Sequence, residues 1–212
     1  MSEQTVDILE RFMPEVEVSI RTAVHLLKHA ELKGAINVQI QRRPTVRDPV
    51  SKNKVTFLTD KLLNELEVKR SAFQPILHKN DPEWFGEYRF GNNHLKIQGK
   101  ERGLADVIGL IKTKRIFVQC KGGHCASLSE EASNKTSSNS KEYAALWSVL
   151  GQIVVTERVA DNDIMAVAVP LSSAYKGLVE KFQNRPLIKQ LGIKFLLVSR
   201  DGNIEGFDQL LN

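Results

Sequence analysis

The tightest constraint on this chain's fold lies at residues 103–122. Val107, Ile108, Leu110 and Ile111 form one β-prone run, and Ile116, Phe117 and Val118 form a second. Only Lys112, Thr113 and Lys114 form the polar turn between the runs. So short a connection joins antiparallel neighbours, because parallel strands need a crossover of a dozen or more residues. A hairpin inside a sheet is therefore expected. Asp106 precedes the first strand, and the second closes on Gln119-Cys120-Lys121. Side chains alternate along a strand, so Gln119 and Lys121 share a face and Cys120 joins Val118 and Ile116 on the other. A hairpin centred on Thr113 and Lys114 pairs Ile111 with Ile116 and sets Asp106 opposite Lys121, about 5 Å away. A slip of one residue would put the two on opposite faces.

A carboxylate, an amide oxygen and an ammonium at one end of a hairpin suit metal-assisted hydrolysis of a phosphodiester. A hard divalent cation takes oxygen ligands and keeps several waters. Asp106 would supply charge and Gln119 a neutral oxygen. Such an ion polarises a phosphoryl oxygen and lowers the pKa of bound water. Lys121 could orient that water or neutralise charge building on the phosphorus centre.

Asp106…Gln119-x-Lys121 resembles the motif of the PD-(D/E)xK nuclease superfamily, the restriction-endonuclease-like fold. That motif is Asp, a variable gap, then Glu or Gln, any residue, and Lys, at the ends of adjacent strands. Ala105 stands where the family often has Pro, and Gln119 replaces the usual acid, which removes a negative charge from the metal site. The element order expected behind the motif also fits. A helix over 142–157 carries Gln152, followed by a strand at 164–169 and a helix capped by Ser172-Ser173 and running to about Gln183. A short helical turn after Pro186 then closes at Gly192, a strand covers 195–198, and Asp201-Gly202 turns into 204–207. The resemblance covers roughly residue 84 to the C-terminus. It implies an α/β fold with a central mixed sheet flanked by helices, and a Mg²⁺-dependent endonuclease acting on DNA, with Mn²⁺ able to substitute. Asp106, Gln119, Lys121 and Gln152 would be catalytic. Asp106 and Gln119 would bind metal, with the backbone carbonyl of Cys120. The further acid that the family often places upstream is assigned to Glu87, ahead of Glu101 and Glu65. A nuclease fold with a decayed site that only binds nucleic acid or protein is the alternative. The motif acts on the phosphodiester, so RNA and branched DNA are equally open substrates.

Residues 1–80 read as an N-terminal extension used for DNA binding or oligomerisation, and 81–212 as the nuclease-like core. Within the extension, helices are expected at 6–13, at 18–32 and from 60 to about 70, with strands at 36–40 and 55–58. Arg42 and Arg43 sit in a basic, proline-punctuated loop and are candidate phosphate contacts, as are Lys100 and Arg102. The net charge of +5 favours a polyanionic partner modestly. Ser127 to Ser140 is rich in Ser and Asn and reads as a loop beside the catalytic strand. Cys120, His124 and Cys125 lack the paired spacing of a zinc site, and Cys120 is expected in the core. Two cysteines in 212 residues suggest a reducing compartment. No apolar run reaches membrane-spanning length, so a cytoplasmic protein is expected. A homodimer is plausible, since cutting both strands takes two sites.

Overall fold

The computed structural model describes residues 12–29, 35–40, 45–47, 54–57, 59–72, 74–75, 77, 79–101, 104–111, 113–125, 140–156, 160 and 162–210, with the backbone alone at 45–47 and 54–56. Its centre is a nine-stranded mixed sheet. In chain order the strands are β1 (Phe12–Met13), β2 (Ala35–Ile40), β3 (Thr45–Arg47), β4 (Lys54–Thr56), β5 (Lys69–Arg70), β6 (Gly86–Phe90) and β7 (Asn93–Gly99). They continue with β8 (Val107–Ile111), β9 (Lys114–Cys120), β10 (Gly123–His124), β11 (Ile164–Pro170), β12 (Lys194–Val198) and β13 (Ile204–Glu205). The sheet runs β13-β12-β11-β9-β8-β2-β7-β6-β5, while β1 pairs with β10 and β3 with β4. The helices are α1 (Glu15–Lys28), α2 (Thr59–Glu65), α3 (Ser140–Val154), α4 (Ser173–Gln183) and α5 (Pro186–Leu191). The expected α/β architecture is thus the one found. Among the described residues no helix is long and apolar enough to cross a membrane.

Alternation along the central strands builds two cores. On β11 and β12, Ala166, Ala168, Leu196 and Val198 join α1 residues such as Ile20, Ala23, Leu26 and Leu27 in one cluster. Val167, Val169, Phe195 and Leu197 join Leu146, Val149 and Ile153 of α3 and Tyr175, Leu178 and Phe182 of α4 in the other. The sheet therefore lies between α1 on one face and α3 to α5 on the other. The β9-α3-β11 and β11-α4-α5-β12 crossovers join parallel neighbours, as such pairs require.

Several local expectations hold. Ser172 caps α4, accepting from the Tyr175 N–H at 3.3 Å, and Gly192 ends α5 at φ 66, a left-handed position that glycine occupies at no steric cost. Others do not hold. Phe12 and Met13 are extended and pair with β10, where a helix was expected. α1 starts at Glu15 and ends at Lys28, not 18–32. α2 stops at Glu65, because the chain turns left-handed at Glu67 and enters β5. The boundary near residue 80 separates nothing in the sheet. β2, from the supposed extension, lies between β7 and β8 and is hydrogen-bonded to both.

Candidate active site

The β8–β9 hairpin pairs Ile111 with Lys114 and Val107 with Val118, a register two residues from the one expected. Lys114 begins the strand, so the connection shortens to residues 112–113. A shift of two preserves which side chains face which way, but the ladder extended one step brings Asp106 opposite Gln119, not Lys121. Asp106 and Lys121 meet by another route, through a residue the sequence reading missed.

That residue is Glu15. Pro14 caps α1 in an extended conformation, and Glu15 and Glu17 follow in the first turn, where the positive helix end favours acids. The β1–β10 pairing sets Met13 against Gly123, which brings the start of α1 to the end of β9. The approach is close at Gly122, where a Cβ would lie 2.6 Å from the Glu15 nitrogen and 2.7 Å from the Met13 oxygen. A glycine at this position lets the two backbones touch.

Four side chains then form one chain of opposite charges. The Cys120 N–H donates to Asp106 Oδ2 at 2.8 Å. Asp106 Oδ1 meets Lys100 Nζ at 2.5 Å. Lys100 Nζ lies 3.5 Å from Glu15 Oε1, and Glu15 Oε2 accepts from Lys121 Nζ at 3.0 Å. Asp106 is 1% exposed. Burial raises its pKa, and the neighbouring ammonium of Lys100 and the Cys120 N–H only partly offset that. Burial pulls the Lys100 ammonium down, but Asp106 and Glu15 together outweigh it and raise its pKa. Each group's charge favours the charged form of the other.

Gln119 is turned elsewhere. It is 4% exposed, and its Nε2 donates to the Leu104 carbonyl at 3.4 Å and to Thr156 Oγ1 at 3.3 Å, both long bonds. Its Oε1 is buried without a hydrogen-bond partner among the described residues. Gln119 lines a cleft of about 270 Å³ with Lys100, Glu101, Leu104, Gln152, Val155 and Thr156. Gln152 is exposed on α3 at the wall of this cleft. Lys100 borders both the cleft and the charged cluster, so the two are contiguous.

Glu87 and Glu65 lie away from this cluster. Glu87 lies on β6, three strands from β8, or about 14 Å at one strand spacing each. Its backbone N–H is held by Gln74 Oε1, so the structure does not bring Glu87 to Asp106; the acid beside Lys100 and Lys121 is Glu15. Glu65 pairs with Arg21 at 2.9 Å. Glu101 lines the cleft, and its N–H is held by Gln39 Oε1 at 2.9 Å. Lys100, expected as a phosphate contact, is instead the cation between the two carboxylates. Arg42, Arg43, Arg102 and the loop from Ser127 lie outside the described residues, apart from Ser140, which opens α3. Cys120 is buried in the core as expected.

The donor set suits a hard divalent cation. Two carboxylates, Asp106 and Glu15, already share a single positive group, and Gln119 Oε1 is an acceptor lacking a donor. Among the described residues no group of three His, Cys, Asp or Glu forms a metal cage. An ion held by two carboxylates takes its other oxygens from amides, carbonyls or water, the habit of Mg²⁺. Compared with protein-family models, curated protein sequences and solved structures, the chain gives no match.

Proposed function

We propose that this protein is a metal-dependent endonuclease of the PD-(D/E)xK type, hydrolysing phosphodiester bonds of DNA. The observation that carries the reading is the Asp106–Lys100–Glu15–Lys121 cluster at the ends of β8 and β9. Asp106 and Lys121 are the motif residues, and Glu15 is an upstream acid within reach of both lysines. Asp106 and Glu15 would hold Mg²⁺ or Mn²⁺, which when bound polarises a phosphoryl oxygen and lowers the pKa of its water. Glu15 orients the Lys121 ammonium, which is a third exposed and so can reach substrate. From there it aligns the attacking water and offsets charge on the phosphoryl oxygens. Lys100 neutralises Asp106 while no substrate is present. Gln119 and Gln152 line the adjoining cleft and position what enters it.

The test is cleavage of supercoiled plasmid by wild type and Lys121→Ala, with Mg²⁺, Mn²⁺ or EDTA. Cutting by wild type that needs the metal and is lost in the variant is the expected result. Equal cutting by both overturns the assignment of Lys121. The second reading, a decayed site that only binds nucleic acid or protein, draws on two features. Gln119 stands in place of an acid, and lysines already satisfy both carboxylates. It wins if wild type shifts DNA in a gel but cuts neither DNA, RNA nor branched substrates. A cytoplasmic location accords with the low cysteine content, two in 212 residues, and a homodimer with cutting of both strands.

A further inference from the structure

Between Glu142 and Glu157, a span that includes most of α3, no residue is charged, although Tyr143, Ala144, Trp147, Ser148, Gly151, Gln152, Val154 and Val155 are exposed. A solvated helix face ordinarily carries charge. Tyr143 is 40% exposed and Trp147 46% exposed, and both rest on the buried ring of Phe182, with centroids at 5.6 and 5.2 Å. The contacts are tilted or edge-on, and the Tyr143 and Trp147 planes meet at 77°, so the two rings do not cover each other's faces. The Arg185 guanidinium lies 4.4 Å from the Phe182 centroid and 5.2 Å from that of Trp147. Sealing Phe182 would need only aliphatic side chains. Two rings held half in water beside a stacked guanidinium are chemistry for flat, electron-rich ligands.

We infer that Tyr143, Trp147 and Arg185 form a stacking platform for unpaired bases of a nucleic-acid strand running along α3 to the candidate active site. This rests on the nuclease reading for the class of ligand. Base stacking on aromatic rings with a cationic track for the backbone is the recurring way to hold single strands, and Arg adds cation–π attraction. The surroundings match a polyanion. Lys141, Lys181, Arg185 and Lys189 are exposed around the platform, against the single exposed acid Glu180 on α4. The route is continuous. Val155, eight residues beyond Trp147 and about 80° from it around the helix, lines the cleft with Gln152, Gln119 and Lys100. Trp147 and Val155 are separated by about 12 Å of helix, the rise of roughly three to four stacked nucleotides.

The protein reports on this itself. It has two tryptophans, and Trp84 is buried, so a base stacking on the exposed indole should quench a large part of the emission. The experiment titrates oligothymidylate, then its duplex with oligodeoxyadenylate, following emission and, with labelled strands, anisotropy. The single strand should quench and the duplex should not. Trp147→Ala should weaken single-strand binding roughly 5- to 150-fold, the range for loss of one stacked base, measured well below the variant's own thermal midpoint. Anisotropy binding without quenching overturns the platform, as does equal quenching by duplex or no binding of either. Emission that changes with protein concentration alone identifies the face as a contact between copies and also overturns it. Plasmid cleavage by wild type, set beside its own quenching, separates the two failures. Cutting with no quenching rejects the platform and keeps the nuclease, whereas quenching without metal-dependent cutting keeps the platform and rejects the nuclease.

Discussion

Glu15→Gln separates a structural from a chemical role for the acid that ties the site together. The substitution keeps shape and removes charge. Its structural cost can be worked from three contacts. The pair with Lys121 at 3.0 Å joins side chains that are both 31% exposed, so solvent screening holds it to about 0.2–1 kcal/mol. The Lys100 contact at 3.5 Å is longer and adds less. The lost favourable charge at the α1 N-terminus is worth about 0.3–1 kcal/mol. Together these give about 1 kcal/mol, or a fall of roughly 2–4 °C in the midpoint of a domain this size. The chemical cost is larger if Glu15 holds the cation. Groups one step behind a metal ligand already cost about 10–100-fold when lost, so cleavage should fall at least that far. Calorimetry and single-turnover plasmid cleavage on the same preparation read both quantities. A variant that loses a few degrees and cuts at the wild-type rate refutes the argument. So does one whose activity loss disappears when both proteins are assayed well below their midpoints.

Three further outcomes follow from the same geometry. Gly122→Ala would force its Cβ onto backbone atoms of Met13, Pro14 and Glu15 and should cost about 1–3 kcal/mol in chemical denaturation, with metal-dependent cleavage falling as α1 moves off β9. Asp106 has a folded pKa raised by burial, so the native state takes up this proton first as pH falls, and the charge penalty is relieved between that raised value and the ordinary one of about 3.9. The stability of wild type relative to Asp106→Asn should therefore improve on acidification across that window, and a difference that is flat with pH refutes the assignment. Gln119→Glu would bring a carboxylate to the Leu104 carbonyl in a site that is 4% exposed. It should lose about 1–3 kcal/mol in EDTA and recover part of it with Mg²⁺, as read by melting in the two buffers; equal melting in both places Gln119 outside the reach of a metal.

What the sequence made legible was local or periodic. Ser172 before a helix, Gly192 after one and Asp201-Gly202 between strands each act within a few residues, and each was found where the chain suggested. The hairpin was legible in kind but not in register, since moving the turn from 113–114 to 112–113 changes every partner while leaving the hydrophobic alternation intact. Only an odd shift would have disturbed that pattern, so nothing in it could choose between the two. Glu15 was out of reach for a different reason. It lies 106 residues from Lys121, and no period or spacing carries information over that separation. One signal was available, Pro14 followed by acids, which marks a helix start, but it locates an end of α1 and not what the end faces. That was decided by the two-residue β1–β10 bridge and by the bare backbone at Gly122. Glu87 failed on the same ground. Nearness to Asp106 in the chain says little once β2, from far upstream, inserts between β8 and β7. A site assembled from both ends of a sheet's history is therefore half visible in the strand that carries the motif. Its other half depends on the order in which strands join the sheet.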